Sequence, residues 1–132
     1  MDIKKIIKLY DLGILDCDGN VLEGAVEDMG YEDGEAFGRT FVEGTPCGFE
    51  LELAEMELNL KILYCLSGSH EFMSVLVDMG DIFEFEFSEE GQAVRDNEEA
   101  LNYYLEHFMM GFSDVLLERY GHRRKCRTHK SE

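Results

Sequence analysis

The residues ILDCDGNVLEG, Ile14 to Gly24, place two aspartates, an asparagine and two glycines behind a pair of aliphatic side chains. Oxygen donors at that density suit cation binding, carboxylate nucleophilic attack, or a tight turn. Asp16, Asp18, Asn20 and Glu27 fall on positions 1, 3, 5 and 12 of a calcium-loop spacing. Position 6 of such a loop needs glycine for its sharp bend, and here it is Val21. The glycine stands at Gly19 instead, and Asp18-Gly19 between ILDC and NVLE is the pattern of a two-residue type I′ hairpin turn. The turn is the reading the spacing supports.

The six residues ILDCDG also resemble the first motif of the haloacid dehalogenase-type phosphatases, in which Asp-x-Asp ends a strand and its first aspartate is the nucleophile. The resemblance implies a doubly wound domain with Asp16 attacking phosphate. It stops at Asn20, where that motif carries threonine or valine, and the alternating βα pattern such a domain requires is absent. Three further groupings could carry chemistry. His122, Cys126 and His129 lie at i, i+4 and i+7, a ligand spacing for a metal if a second segment such as Cys47 or His70 joined them. His70 and His107 have no serine or cysteine neighbourhood that suggests an activated nucleophile, and no phosphate-binding glycine loop occurs. Alternating glutamates such as Glu50 and Glu52 would stand about 6.7 Å apart on a strand face, within acid/base range but more in keeping with a solvated face. No constellation argues for an enzyme, a metal centre or a cofactor.

Charge is the outlying property of the 132 residues, whose formal net charge is −17. From Arg119 onward six basic residues face one acid, a balance of +5, whereas residues 1–118 hold six basic residues against 28 acids, a balance of −22. Such a field repels nucleic acid and anionic membranes and favours a basic protein partner. No apolar run reaches the roughly 18 residues needed to span a bilayer. Four well-separated cysteines with no CxxC pair read as reduced thiols, which places the chain in the cytoplasm.

Elements that would position these residues can be read from periodicity. Asp2 caps a helix with Ile3, Ile6, Ile7 and Tyr10 on one face and Gly13 at its end. Residues 24–35 read as an acidic loop or short irregular helix, and AFGRTFVE (36–43) as a strand. In FELELAEMELNLKILYCL the apolar residues alternate, slip by one near Ala54–Glu55, and resume, which predicts strands broken by a bulge. EFMSVLVD (71–78) reads as a strand buried on both faces, and IFEFEF (82–87) as one with three phenylalanines on one side. Asp96-Asn97-Glu98-Glu99 offers a capping box for a last helix lined by Leu101, Tyr104, Leu105, Phe108, Phe112, Val115 and Leu116, with a stop at Gly121.

The expected fold is therefore α+β. An N-terminal helix would precede an antiparallel sheet of about five or six strands, and a long amphipathic C-terminal helix would cover one face. Residues 1–121 would form one domain and 122–132 a basic tail. Glu50, Glu52, Glu55, Glu57, Glu84 and Glu86 would share the exposed face of that sheet and bind a basic partner. The expected function is a small acidic protein-binding module that inhibits or regulates a basic protein, one that binds nucleic acid, by charge mimicry. The alternatives are a dimeric chaperone or adaptor that holds a client in an apolar groove or on a sheet edge, and a small enzyme.

Overall fold

Both terminal helices expected from periodicity form, the first with its expected cap and the last with a different cap and no stop at Gly121. A computed structural model describes residues 2–131, with side chains through Tyr120. In α1 (Ile3–Asp11) the Asp2 carboxylate accepts from the Lys4 amide at 3.0 Å, and Gly13 ends the helix at a φ of 78°. The ILDCDGNVLEG segment does form a hairpin turn, joined by a lone bridge between Leu15 and Val21. It is not type I′, because Gly19 alone in it has positive φ, at 83°. The Gly19 amide donates to the Asp16 carbonyl at 3.0 Å and the Asp16 amide to the Asn20 carbonyl at 2.8 Å, which is a type I turn followed by a left-handed glycine. Asp16 Oδ1 accepts from the Asp18 and Asn20 amides, so this carboxylate organises the turn from within.

The α+β expectation and its five or six strands are overturned: no strand occurs among the described residues, and everything between the turn and the last helix is helical or loop. Residues 24–43, read as loop and strand, form α2 (Glu23–Gly44); the broken strands become α3 (Glu50–Leu66); EFMSVLVD lies in α4 (Ser69–Ile82). IFEFEF is the end of α4 and the irregular segment after it, where Glu84 adopts a φ of 58° and the Phe85 amide returns to the Gly80 carbonyl. A short α5 (Glu89–Ala93) and a 3₁₀ turn (Val94–Asp96) lead into α6 (Glu98–Ser131), which runs through Gly121. Its cap is Asn97, whose side chain accepts from the Ala100 amide, and not Asp96, which pairs with Lys5 at 3.5 Å.

The architecture is built on α2 and α6. Gly30, Gly34 and Gly38 repeat every four residues, so all three lie on one face of α2. Gly30 meets the backbone of Tyr104, Gly34 that of Phe108, and Gly38 lies against Phe112 and Val115, a matched progression that makes the two helices parallel. From the other side Gly111 of α6 admits the Tyr31 backbone. A Cβ at Gly30, Gly34 or Gly111 would overlap a main-chain carbonyl of the facing helix, so the closeness depends on glycine. Small residues at this spacing let helix backbones approach well inside the ordinary 8–10 Å separation.

Just beyond the glycine seam, Phe37 gathers the aromatic core, with ring centroids 4.9, 5.2, 5.3 and 5.7 Å from Phe41, Phe85, Phe108 and Phe112. Phe87 stacks on Phe108 at 5.8 Å, so the phenylalanines after α4 reach the C-terminal helix without a strand to carry them. The seven apolar residues expected on the buried face of α6 are all buried. Helices α3 and α4 join this core through Leu53, Leu60, Phe72, Met73 and Leu76.

One polar cluster ties α2, α5 and α6 together. Asp33 Oδ2 accepts from the Tyr104 hydroxyl at 2.5 Å and from Ser88 Oγ at 2.7 Å, while Ser88 Oγ accepts from the Gly91 amide as the cap of α5. Burial, together with the Asp33 charge and hydrogen bond, pushes the Tyr104 phenol well above its ordinary value of 10.0. The native state thus keeps a proton that the unfolded chain releases above pH 10, so this contribution is full below pH 10 and disappears as pH climbs through the native value. The expected result is a melting temperature that falls from pH 10 upward, with Tyr104 phenolate absorbance appearing only with unfolding. Tyr104→Phe should remove its share of that slope.

Candidate interaction surface

Helix α3 is apolar on two opposite sides, and this is what gave its sequence a strand-like alternation. Advancing two residues turns a helix by about 200°, so alternate residues land by turns on opposite faces. Met56, Leu60 and Tyr64 face inward or are half-buried; Leu58, Ile62 and Leu66, from the same alternating set, face out. Leu51 adds to the outer row, whose members are 69% (Leu51), 57% (Leu58), 48% (Ile62) and 81% (Leu66) exposed. All four fall within an arc of about 80° of the helix surface. An aligned row of large exposed aliphatics, unlike single scattered ones, makes a candidate surface for another molecule.

The start of α3 is held by one arginine. The Arg119 guanidinium of α6 donates to the Val42 carbonyl at 2.9 Å and the Thr45 carbonyl at 3.1 Å, closing the C-terminal end of α2. It also reaches Glu50 Oε1 at 3.2 Å, both side chains being largely buried, and Glu50 Oε2 accepts from the Gly48 amide at 3.0 Å. Glu50 is therefore committed to the fold at the point where α3 begins.

The other expected partner-binding glutamates do not share one face. Glu57 lies beside Glu50 on the inner flank of α3, its side chain 14% exposed and 3.4 Å from Lys61. Glu52 and Glu55 are exposed on the far side, Glu55 within the outer apolar row and Glu52 at its border. Glu84 and Glu86 sit in the segment after α4; Glu86 lines a hollow of about 290 Å³ with Val77, Asp81 and Arg95. Only Glu52 and Glu55 border the apolar row. The aliphatic members of that row were missed because each was assigned to the inside of a sheet.

Two other hollows lie elsewhere. One of about 400 Å³ runs between α2 and α6, lined by Tyr31, Glu35, Arg39, Asp114 and Glu118. There the Tyr31 hydroxyl donates to Asp114 at 2.5 Å, and that bond, ahead of desolvation and the nearby carboxylates, pushes the phenol up to about 12. The other, of about 240 Å³, lies between α1 and the hairpin turn, walled by Ile6, Ile7, Tyr10, Asp16, Cys17 and Gly19.

Cys17, Cys47 and Cys65 are exposed free thiols, and no group of metal-ligating side chains gathers among the described residues. The side chains of His122, Cys126 and His129, like the basic stretch around them, lie outside the described residues. No helix among the described residues is long and apolar enough to cross a membrane. No protein-family model, curated protein or solved structure matches the chain.

Proposed function

We propose that the chain is a protein-binding module whose recognition surface is the outer face of α3, and that its partner presents a basic amphipathic helix. The supporting observation is the exposed row Leu51, Leu58, Ile62 and Leu66 with Glu55 among them and Glu52 at the border on the same side. The apolar row supplies the attraction of helix against helix, read by a partner at i, i+3, i+4 and i+7. The carboxylates, within a chain whose first 118 residues carry a balance of −22, select lysine and arginine at the edge and speed encounter. One set of converging polar groups, Asp33 with Tyr104 and Ser88, is spent on itself at a helix junction, a structural use in keeping with a binding role.

Fluorescence anisotropy with a labelled peptide carrying leucine and lysine at those spacings tests the reading. The peptide should bind wild-type protein more tightly than a scrambled peptide of the same composition. Leu58→Asp should weaken it at least tenfold, and Glu52→Lys with Glu55→Lys should flatten its salt dependence. Equal binding of both peptides, or indifference to Leu58→Asp, would remove α3 as the surface.

A further inference from the structure

The chemistry that suits α3 is present in this chain. Helix α1 carries Ile3, Ile7 and Tyr10 along an exposed row, 69%, 53% and 52% exposed, with lysines beside it. Their spacing of i, i+4 and i+7 is that of a partner helix laid on the Leu51–Leu66 row. The same row borders the hollow of about 240 Å³, walled by Ile6, Ile7 and Tyr10 against the turn at Asp16, Cys17 and Gly19, where the Asp16 carboxylate is engaged by the Asp18 and Asn20 amides. Helix α3 thus presents a ridge of large aliphatics, and α1 an apolar row and recess with Lys4 and Lys8 on one side beyond Asp11.

We infer that in the absence of another partner the ridge of α3 docks against α1 of a second copy of the chain, so that self-association and partner binding compete for one face. The inference rests on the proposed role of α3 and adds an occupant to it. Charge decides which helix of the second copy is met. From the apolar row of α3, the glutamates lie on the side reached by advancing along the helix, about 40° (Glu55) and 100° (Glu52) from Leu51. On α1, Lys4 and Lys8 lie on the same side, about 100–140° from Ile3, with Asp11 between them and the row; Lys5 points further round and pairs with Asp96 at 3.5 Å. Helices laid face to face and antiparallel bring like sides together, so two lysines against one aspartate meet Glu52 and Glu55. Two copies of α3 laid antiparallel would instead set glutamates against glutamates, a repulsion that disfavours the symmetric pair.

The contact is heterologous, since the ridge of one copy meets the recess of the next, and each pair keeps one unused ridge and one unused recess at its two ends, open to further copies. Its small size, one helix of 9 residues against one of 17, places it below a standard interface, so assembly belongs to high protein concentration.

Sedimentation velocity of the full chain over a concentration series tests this with two surface variants, Leu58→Asp (ridge lost) and Ile7→Asp (recess lost). Wild-type mass should rise with concentration beyond twice the 15.2 kDa monomer, and fall back in high salt. Each variant alone should remain monomeric. An equal mixture should form a heterodimer and nothing larger, because each partner supplies the surface the other lacks. A wild-type chain that stays monomeric throughout, an Ile7→Asp chain that associates like wild type, or a mixture that stays monomeric overturns the inference. If the basic peptide still binds a monomeric wild type, the role proposed for α3 stands and only self-association falls. If the chain assembles as described but refuses the peptide, the external basic helix falls and the self-contact remains.

Discussion

Gly34→Ala should cost about 3 kcal/mol of stability, at the upper end of what one extra methyl does in a packed interior. The new Cβ would overlap the Phe108 carbonyl, and a main-chain atom in the middle of a 34-residue helix cannot rotate away as a side chain can. Relief requires α2 and α6 to separate, which also loosens Phe37 from Phe108 and Phe112 just beyond the seam. Two neighbouring glycines show that the effect belongs to the contact and not to glycine itself. Gly38→Ala would place its Cβ 3.1 Å from Val115 Cβ and 3.2 Å from the Phe112 carbonyl, tight but adjustable, with an expected cost of about 1 kcal/mol. Gly24, in the first turn of α2, has open space around it, so Gly24→Ala should stabilise by about 0.4–1 kcal/mol through a less flexible unfolded chain. Urea unfolding of the three variants should rank their midpoints Gly24→Ala, Gly38→Ala, Gly34→Ala from high to low. Coincident midpoints would mean the two helices are not in backbone contact.

Arg119→Ala is expected to rival it, at about 2–4 kcal/mol. Removal of the guanidinium leaves the Val42 and Thr45 carbonyls and the Glu50 carboxylate without the group that joins them, and Glu50 is held in a site where its side chain is only 13% exposed. Withdrawing the arginine from a desolvated carboxylate costs more than the ion pair contributes, although Glu50 keeps the Gly48 amide. Lysine should restore little, because one ammonium cannot span two carbonyls and a carboxylate in the fixed fork that arginine provides. Adding Glu50→Gln to Arg119→Ala should recover part of the loss, since the buried carboxylate that Arg119 neutralises is then gone; a strictly additive double variant would show that the two side chains do not interact. Arg119 positions the first turn of α3 and touches none of its outer row, so Arg119→Ala should weaken peptide binding while Leu58→Asp weakens it without loss of stability.

The ends of the chain were legible because their signals are local. Asp2 before an i, i+3, i+4 pattern, Gly13 at a helix stop, and seven apolar residues at helical spacing from Leu101 to Leu116 each specify one structure. Even there, Ile3, Ile7 and Tyr10 of the apolar face of α1 prove exposed while Leu9 is buried, since which stripe turns inward depends on the neighbour. The middle misled for a physical reason. A strand with one apolar face and a helix with two produce the same alternation over a dozen residues, and the choice fell on the strand although leucine, glutamate and methionine favour the helix. In α2 the readable signal was the repeat of Gly30, Gly34 and Gly38, which reads as loop composition unless its period of four is noticed. The site suffered accordingly: glutamates were grouped on a sheet face that does not exist, and the aliphatics that make the exposed ridge were counted as core.

The central claim is that the outer face of α3 receives a helix, and backbone amide chemical-shift mapping during titration with the basic amphipathic peptide tests it most directly. The account predicts perturbations concentrated from Leu51 to Leu66, largest around Leu58 and Ile62, with the amides of Tyr31, Glu35 and Asp114 along the α2–α6 hollow unmoved. Perturbations centred on that hollow, or spread evenly over the acidic surface with none at Leu58, would contradict it.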